Sequence, residues 1–202
     1  DIAFLKSLPK REITCGYGEI LKHAIIADKK FFSFLDLNGS QILDLRSPFI
    51  EKAIFKSCSI KKKVVETDEK EIGIRKILNF GHTFAHAIET GTRYGEWLHG
   101  EAVGAGMVMA ADLSVRLGRC SKDDGKRIKR LIEKAGLPVS GPAEISTEAM
   151  LALMAKDKKA TNEGLRFVLI DGCIGRTEIV QNVPVNKLKE TLGAGTLLCE
   201  TF

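Results

Sequence analysis

Three histidines lie close together in the sequence, at positions 82, 86 and 99. His82 and His86 are about one helical turn apart, so on a helix their imidazoles project from the same face and can approach one ion. His99 follows Gly91 and Gly95, where a turn would bring it back beside the pair. The spacing predicts a metal site, although two histidines on one helix face are also typical of an ordinary surface or core.

A carboxylate near these histidines would complete a catalytic zinc site, which usually takes three protein ligands and keeps one position open. The acidic candidates are Glu19, Glu89, Glu96 and Glu101. Glu19 stands out because Lys22 and His23 follow it on the same predicted helix face, beside an apolar stripe. The same spacing is typical of a surface ion pair, so the residues alone leave the carboxylate ligand open.

Cationic and amide side chains occur where an anionic substrate would need them. Lys61 follows the apolar positions 50, 54 and 58 and is predicted to lie within their stripe. Arg75 and Asn79 come just before the histidine pair, at a predicted helix start, where free N–H groups favour anions. Lys158 and Lys159 fall in a predicted loop. The pattern indicates a metal beside groups suited to a polyol-like substrate bearing carboxylate or phosphate.

The elements that must position these residues are mostly helical. Apolar periodicity and capping residues predict helices over 17–35, 48–66, 79–91, 96–118, 123–135, 146–156 and 185–192, and a β-hairpin from 165–170 and 174–180. The 96–118 segment is rich in alanine and glycine, which predicts a central helix that neighbouring backbones approach closely. Strands and helices do not alternate, and no G-x-G-x-x-G is present, so we expect no dinucleotide site of the usual kind. The predicted fold class is mainly α with a small late β-hairpin, in one domain over 1–202.

Composition excludes several classes of protein. The chain has 202 residues, of which 44% are hydrophobic, and 31 basic against 26 acidic side chains give a net charge of +5. These values are not those of a disordered, collagenous or disulfide-scaffold protein. The basic residues are interspersed with acidic ones and aromatic residues are only 6%, which argues against nucleic-acid binding. Five scattered cysteines and the lack of a long apolar run predict a cytoplasmic protein with no membrane contact.

Two motifs carry a stronger signal than spacing alone: LNFGHTFAHAIE at 78–89 and WLHGEAV at 97–103. Further matching segments lie at 8–12, 18–23, 61–65, 73–75, 157–159 and 166–169. In this order, the segments resemble the 3-dehydroquinate synthase family, specifically its C-terminal domain, over nearly the whole chain. The resemblance implies the helical fold of that domain.

The resemblance also implies roles for individual residues. The family's metal ligands match Glu19, His82 and His99, which implies Zn²⁺ or Co²⁺ and leaves His86 on the substrate side. The positions that bind the substrate's hydroxyl, carboxylate and phosphate groups match Lys22, Lys61, Arg75, Asn79, His86 and Lys158. The implied reaction converts 3-deoxy-D-arabino-heptulosonate 7-phosphate to 3-dehydroquinate and phosphate in the shikimate route to aromatic compounds, with NAD transiently reduced.

One departure from the family is large. The family has an N-terminal α/β domain that holds NAD, and this sequence contains no counterpart, so we expect the 202-residue chain alone to bind metal weakly or partially and to be inactive. The complete enzyme is expected to be a homodimer. Two alternatives stay open: a related sugar-phosphate cyclase, and a non-catalytic helical domain with structural histidines. The presence of both Lys61 and Arg75 favours a substrate with a carboxylate.

Overall fold

The computed structural model describes residues 1–93, 95–161 and 165–202, with 157–161 as backbone alone. These residues form eight α-helices, three short 3₁₀ helices and one two-stranded antiparallel sheet. The helices are α1 (Lys10–Ala27), α2 (Lys29–Leu43), α3 (Phe49–Thr67), α4 (His82–Gly91), α5 (His99–Arg116), α6 (Lys122–Lys134), α7 (Thr147–Thr161) and α8 (Val185–Gly193). The strands are β1 (Arg166–Ile170) and β2 (Thr177–Gln181), and the 3₁₀ helices are Ile2–Ser7, Ile74–Asn79 and Gly195–Leu197. The mainly α class with a late hairpin is therefore confirmed.

Helix α5 is the centre of the fold. Nearly all of its residues are buried, and it contacts α1, α4, α6, α8 and β1. Its glycines permit this crowding: a Cβ on Gly100 would lie 2.5 Å from the Cβ of Cys15 on α1, and one on Gly106 would overlap the carbonyl oxygen of Gly81. The prediction of a central, closely approached helix is confirmed, and the residue before α4 is in backbone contact with the middle of α5.

The single helix predicted over 17–35 is in fact two helices. Asp28 has extended backbone angles (φ −154°, ψ 98°), and its side chain accepts a hydrogen bond from the backbone N–H of Phe31 at 2.9 Å. Asp28 thus ends α1 and is the N-cap of α2. The prediction was wrong here because apolar residues continue at helical spacing through the break, while the capping aspartate within them was not recognised.

The helix predicted to begin at Asn79 begins three residues later. Residues Ile74–Asn79 form a 3₁₀ helix, and α4 starts at His82 after Gly81, whose φ is +81°. This left-handed conformation favours glycine, and a Cβ on Gly81 would lie 2.7 Å from the backbone nitrogen of Met107. Asn79 is therefore not the N-cap, and its amide is available for other contacts.

The buried face of α3 differs from the predicted stripe. The buried residues are Ile50, Ala53, Ser57, Ile60 and Val64. Lys61 is exposed and lies next to this face rather than within it. The prediction was wrong because apolar residues occupy two adjacent rows of α3, and both rows satisfy a helical period.

Two predicted element boundaries in the C-terminal part of the chain also differ from those in the structure. Strand β2 begins at Thr177 rather than at 174, because the connection takes two turns with positive φ at Gly172 and Gly175. Helix α7 continues to Thr161, so Lys158 and Lys159 lie on a helix and not in the predicted loop. No helix within the described residues is both long and apolar enough to cross a membrane.

Candidate functional site

Three of the residues singled out in the sequence meet in space. Glu19 on α1, His82 at the start of α4 and His99 at the start of α5 have potential ligand atoms that all lie within 4.8 Å of one another. The ring centroids of His82 and His99 are 5.3 Å apart. His86 is exposed, with its ring centroid 5.8 Å from that of His82, and it is not part of the cluster.

Hydrogen bonds orient both imidazoles of the cluster. His82 Nδ1 lies 3.2 Å from the carbonyl oxygen of Phe80, and His99 Nδ1 lies 2.9 Å from Glu89 Oε1. An imidazole that donates from Nδ1 keeps its lone pair on Nε2, the arrangement found in metal-binding histidines. Burial, reinforced by the Lys22 charge, lowers the pKa of His82 to about 4. A neutral imidazole is the form that binds a metal.

A buried lysine lies against the carboxylate of the cluster. Lys22 Nζ is 2.8 and 3.0 Å from the two carboxylate oxygens of Glu19, and its side chain is only 4% exposed. Burial lowers the pKa of Lys22 despite the nearby carboxylate, and the Lys61 charge lowers it further. Burial alone would raise the pKa of Glu19, but Lys22 and the neighbouring histidines hold it below its ordinary value. Glu19 is therefore ionised at neutral pH and suited to bind a cation.

A second buried histidine lies beside this pair. His23 Nδ1 is 2.7 Å from Ser57 Oγ on α3, and both residues are about 5% exposed. Burial, followed by the Lys22 charge, lowers the pKa of His23 to about 4. In the sequence, His23 stood out only as a neighbour of Glu19 on one helix face. The missed signal was Ser57, a polar residue at helical spacing with the buried positions of α3.

The segment that carries Arg75 and Asn79 is organised by Asp68. Its carboxylate accepts hydrogen bonds from the backbone N–H groups of Ile72, Gly73 and Arg75, at 3.0, 2.7 and 3.0 Å. These bonds hold the pKa of Asp68 below its usual range. The 3₁₀ helix that follows contacts α1 and α3, the helices of Lys22 and Lys61. Lys22, Lys61 and Arg75 therefore lie on elements that pack together.

The carboxylate of Glu71 lies between two predicted substrate-binding groups. Glu71 Oε2 is 3.8 Å from Arg75 Nε, and Glu71 Oε1 accepts a hydrogen bond from Asn79 Nδ2 at 3.3 Å. Glu71 has a φ of +55°, which is uncommon for a residue other than glycine. A carboxylate of the protein thus contacts the guanidinium and amide that were predicted to contact an anionic substrate.

The other acidic candidates have different partners. Glu101 binds Arg11 Nε at 2.6 Å and caps α5 by accepting from the Leu98 backbone N–H at 2.9 Å. Glu96 accepts from the backbone N–H of Arg93 at 3.2 Å. Glu89 contacts His99. Among the four candidates, the described contacts place Glu19 alone in the three-residue cluster.

A cavity of about 390 Å³ lies between residues of α4 and α7. It is lined by Thr83, His86, Ala87, Glu89, Thr90, Leu153, Met154 and Lys156. The side chain of Lys158 lies outside the described residues, and its backbone follows Lys156 on α7. Its lining therefore includes His86 and also Glu89, whose carboxylate contacts His99.

Comparison with known proteins decides the family. A model of the 3-dehydroquinate synthase C-terminal family matches residues 16–160. The chain belongs to this family. A curated 3-dehydroquinate synthase from Pseudomonas aeruginosa is 45% identical over 192 residues, which is 95% of this chain and 52% of that protein. The chain therefore spans about half the length of the curated relative, and the resemblance found in the sequence is confirmed.

Solved structures of sugar-phosphate cyclases have a similar fold. A 2-epi-5-epi-valiolone synthase from Streptomyces hygroscopicus subsp. jinggangensis, solved with NAD⁺ and Zn²⁺, has a TM-score of 0.87 at 24% identity. The match covers 96% of this chain and 54% of the synthase chain. A 2-deoxy-scyllo-inosose synthase complexed with carbaglucose-6-phosphate, NAD⁺ and Co²⁺ has a TM-score of 0.74 at 26% identity. The match covers 93% of this chain and 53% of that synthase chain. The first comparison, below 25% identity, bears on the fold alone.

Proposed function

We propose that this chain is the metal- and substrate-binding half of a 3-dehydroquinate synthase. The reaction converts 3-deoxy-D-arabino-heptulosonate 7-phosphate to 3-dehydroquinate and phosphate in the shikimate route, which accords with a cytoplasmic protein. The proposal depends above all on the cluster of Glu19, His82 and His99, whose potential ligand atoms lie within 4.8 Å of one another. Family membership and a curated relative of that name support it.

The donor set fits a divalent metal. One ionised carboxylate and two neutral imidazoles are the ligands of many catalytic zinc sites, and Co²⁺ accepts the same set. Glu19, His82 and His99 would hold the ion. When bound, such a metal polarises an alcohol or carbonyl oxygen of the substrate. The hydrogen bonds at the two Nδ1 atoms leave each Nε2 with the lone pair that a metal needs.

The remaining predicted residues bind and orient the substrate. Lys22, Lys61, Arg75, Asn79, His86 and Lys158 would contact its hydroxyl, carboxylate and phosphate groups. Lys22 is buried, so its contact with an anion would be strong and poorly screened by salt. The substrate's carboxylate would replace Glu71 on Arg75, whose guanidinium is suited to bidentate binding of carboxylates.

The cofactor and oligomer belong to the complete enzyme. NAD would be held mainly by the N-terminal half of the family's enzymes, and the complete enzyme would be a homodimer. The purified 202-residue chain, supplied with NAD, metal and substrate, should release no phosphate. NAD-dependent phosphate release by this chain alone would contradict that expectation.

Metal binding tests the proposal directly. The purified chain should bind one Zn²⁺ or Co²⁺, measured by competition with a chromophoric chelator, and His82→Ala, which removes a ligand, should weaken binding by more than the about 10- to 100-fold that loss of a ligand's hydrogen-bond partner costs. His86→Ala is the matched control, since His86 is one turn along the same helix and should leave metal affinity unchanged. A chain that binds neither ion, with His82→Ala leaving stability unchanged, would favour the non-catalytic helical domain.

A related sugar-phosphate cyclase is the second candidate, because a solved structure of similar fold carries a sugar-phosphate analogue. The presence of Lys61 and Arg75 favours a substrate that bears a carboxylate. Titration calorimetry should therefore show tighter binding of the heptulosonate phosphate than of a hexose phosphate without a carboxylate, and Arg75→Ala should remove the difference. Equal affinity of the wild-type chain for both ligands would favour the related cyclase.

A further inference from the structure

The two histidines of the cluster are held in different ways. His82 is buried enough for its pKa to fall, and it hydrogen-bonds to the backbone carbonyl of Phe80, two residues away. The side chain of His99 is 53% exposed, and its Nδ1 contacts the side chain of Glu89, ten residues away. Local backbone therefore fixes His82, whereas the orientation of the exposed His99 imidazole depends on a side chain from another helix.

Glu89 is well placed for this contact. It lies seven residues after His82 on α4, which is about two helical turns, so both residues project from the same side of the helix. His99 is the first residue of α5, which packs against α4. The side chain of Glu89 is 31% exposed, and its Oε1 is 2.9 Å from His99 Nδ1. The close approach of α4 and α5 thus brings a carboxylate to the back of a candidate metal ligand.

We infer that Glu89 is a positioning residue for His99, an inference that depends on the metal centre proposed above. The carboxylate accepts the Nδ1 proton, which selects the tautomer with a lone pair on Nε2 and limits rotation of the ring. Its negative charge also makes the imidazole a stronger electron donor. Loss of such a partner typically weakens metal binding by about 10- to 100-fold. Glu89 acts through His99 and is not itself a ligand in this role.

A simple surface ion pair would have other consequences. An exposed ion pair contributes little to stability, and it requires a protonated imidazole, in which both ring nitrogens carry a proton and neither can bind a metal. Replacing Glu89 would then leave metal affinity unchanged. The conservative variant separates the roles further, because glutamine can still accept a hydrogen bond from Nδ1 through its amide oxygen but carries no charge.

The test uses the purified 202-residue chain, stripped of metal and titrated with Zn²⁺ against a chromophoric chelator. Glu89→Ala should weaken Zn²⁺ binding by about 10- to 100-fold, and Glu89→Gln by less. Thr90→Ala is the matched control, since Thr90 is exposed, adjacent and lines the same cavity. Denaturant unfolding of each variant shows that the fold is intact.

A second readout does not involve metal. Long-range ¹⁵N–¹H correlation spectra of the metal-free chain report the tautomer of each imidazole, and His99→Gln identifies the His99 signal. Wild type and Glu89→Gln should show a proton on Nδ1 of His99, whereas Glu89→Ala should shift it towards Nε2. The same tautomer in wild type and Glu89→Ala would overturn the inference.

The metal titration distinguishes failure of this inference from failure of the proposed function. If wild type binds Zn²⁺ and Glu89→Ala binds it equally well, Glu89 has no positioning role but the metal centre stands. If His99→Gln binds Zn²⁺ as wild type does, His99 is not a ligand and the inference fails. If wild type binds no Zn²⁺, the metal centre and the role of Glu89 fail together.

Discussion

Asp112 and Lys22 are both buried charged residues, and they differ in how completely hydrogen-bond and ion-pair partners surround the charge. Asp112 on α5 is fully buried, and its carboxylate accepts hydrogen bonds from Arg116 Nε at 2.6 Å, Thr191 Oγ1 at 2.7 Å and the Cys199 backbone N–H at 2.8 Å. Lys22 on α1 is almost as buried, but its side-chain partner Glu19 is 36% exposed, and Lys61 adds a second positive charge nearby.

The difference separates charge used for stability from charge available for binding. At Asp112, donors from α5, α8 and the C-terminal segment surround one carboxylate, so the cluster ties these parts of the chain together. At Lys22, burial and like charge lower the pKa of the ammonium, which means that the folded state bears an electrostatic cost there. An anionic ligand would relieve that cost, which fits the proposed substrate.

Asp112→Ala should give the largest effect on stability. Removing the carboxylate leaves the buried Thr191 hydroxyl and Cys199 N–H without their acceptor and takes from Arg116 the nearer of its two carboxylate partners, so the free energy of unfolding should fall by about 3 to 5 kcal/mol. Urea unfolding measures this change. Asp44→Ala is the matched control, because Asp44 pairs with Arg46 on the surface and its loss should cost under about 1 kcal/mol. Similar losses in both variants would mean that burial does not distinguish the two pairs.

Acid should destabilise the Lys22 region through its neutral histidines. The pKa of His23 is lowered from 6.5 to about 4 in the folded chain, so the unfolded chain takes up a proton first as pH falls. Stability from this group is complete above about pH 6.5 and is lost progressively down to about pH 4, by roughly 3 kcal/mol. Across this pH range, the free energy of unfolding of the metal-free chain should depend less steeply on pH in His23→Asn than in wild type. An unchanged slope would show that His23 is not buried in its neutral form.

Lys22→Met should change stability little. The methionine avoids the cost of burying an ammonium, and the partly exposed Glu19 can be solvated. The free energy of unfolding should therefore stay within about 1 kcal/mol of the wild-type value. Binding of the heptulosonate phosphate, measured by calorimetry, should be strongly weakened. A loss of stability as large as that of Asp112→Ala would remove the distinction between the two pairs.

Glu71→Gln should give the smallest effect. An exposed ion pair contributes up to about 1 kcal/mol, so removing the charge that neutralises Arg75 should tighten binding of a carboxylate ligand by no more than about fivefold. Calorimetric titration of the heptulosonate phosphate measures it, with Glu69→Gln as the control because only the backbone oxygen of Glu69 contacts Arg75. Weaker binding in Glu71→Gln would show that Glu71 orients Arg75 rather than competing for it.

Much of the fold was predictable from local patterns. The amphipathic segment predicted over 123–135 corresponds to α6, and the small residues of α5 indicated a central helix, because periodicity and close packing are visible in adjacent residues. The break at Asp28 was missed, since apolar periodicity continues across it. The buried row of α3 was also missed, because two adjacent rows are apolar and only tertiary packing chooses between them.

The candidate site was predictable only in part. The spacing of His82 and His86 predicted that both would face one ion. In the structure, His82 instead lies with Glu19 and His99, so the cluster draws one residue from each of three helices. Spacing did not identify Glu19 among the four acidic residues, and the family resemblance supplied that choice. The contacts of Glu89 and Glu71 had no sequence signal, because they depend on how α4 meets α5 and on a backbone with positive φ.

The contact between Gly81 and Gly106 has a consequence for how the site can vary. Since main chain touches main chain there, the distance between the start of α4, which carries His82, and the middle of α5 does not depend on the size of surrounding side chains. Apolar residues around this contact can therefore be exchanged while His82 keeps its position against α5. A methyl group at either glycine would displace the start of α4, and His82 with it, from α5, so a search for inactivating substitutions should recover these two positions alongside the ligands.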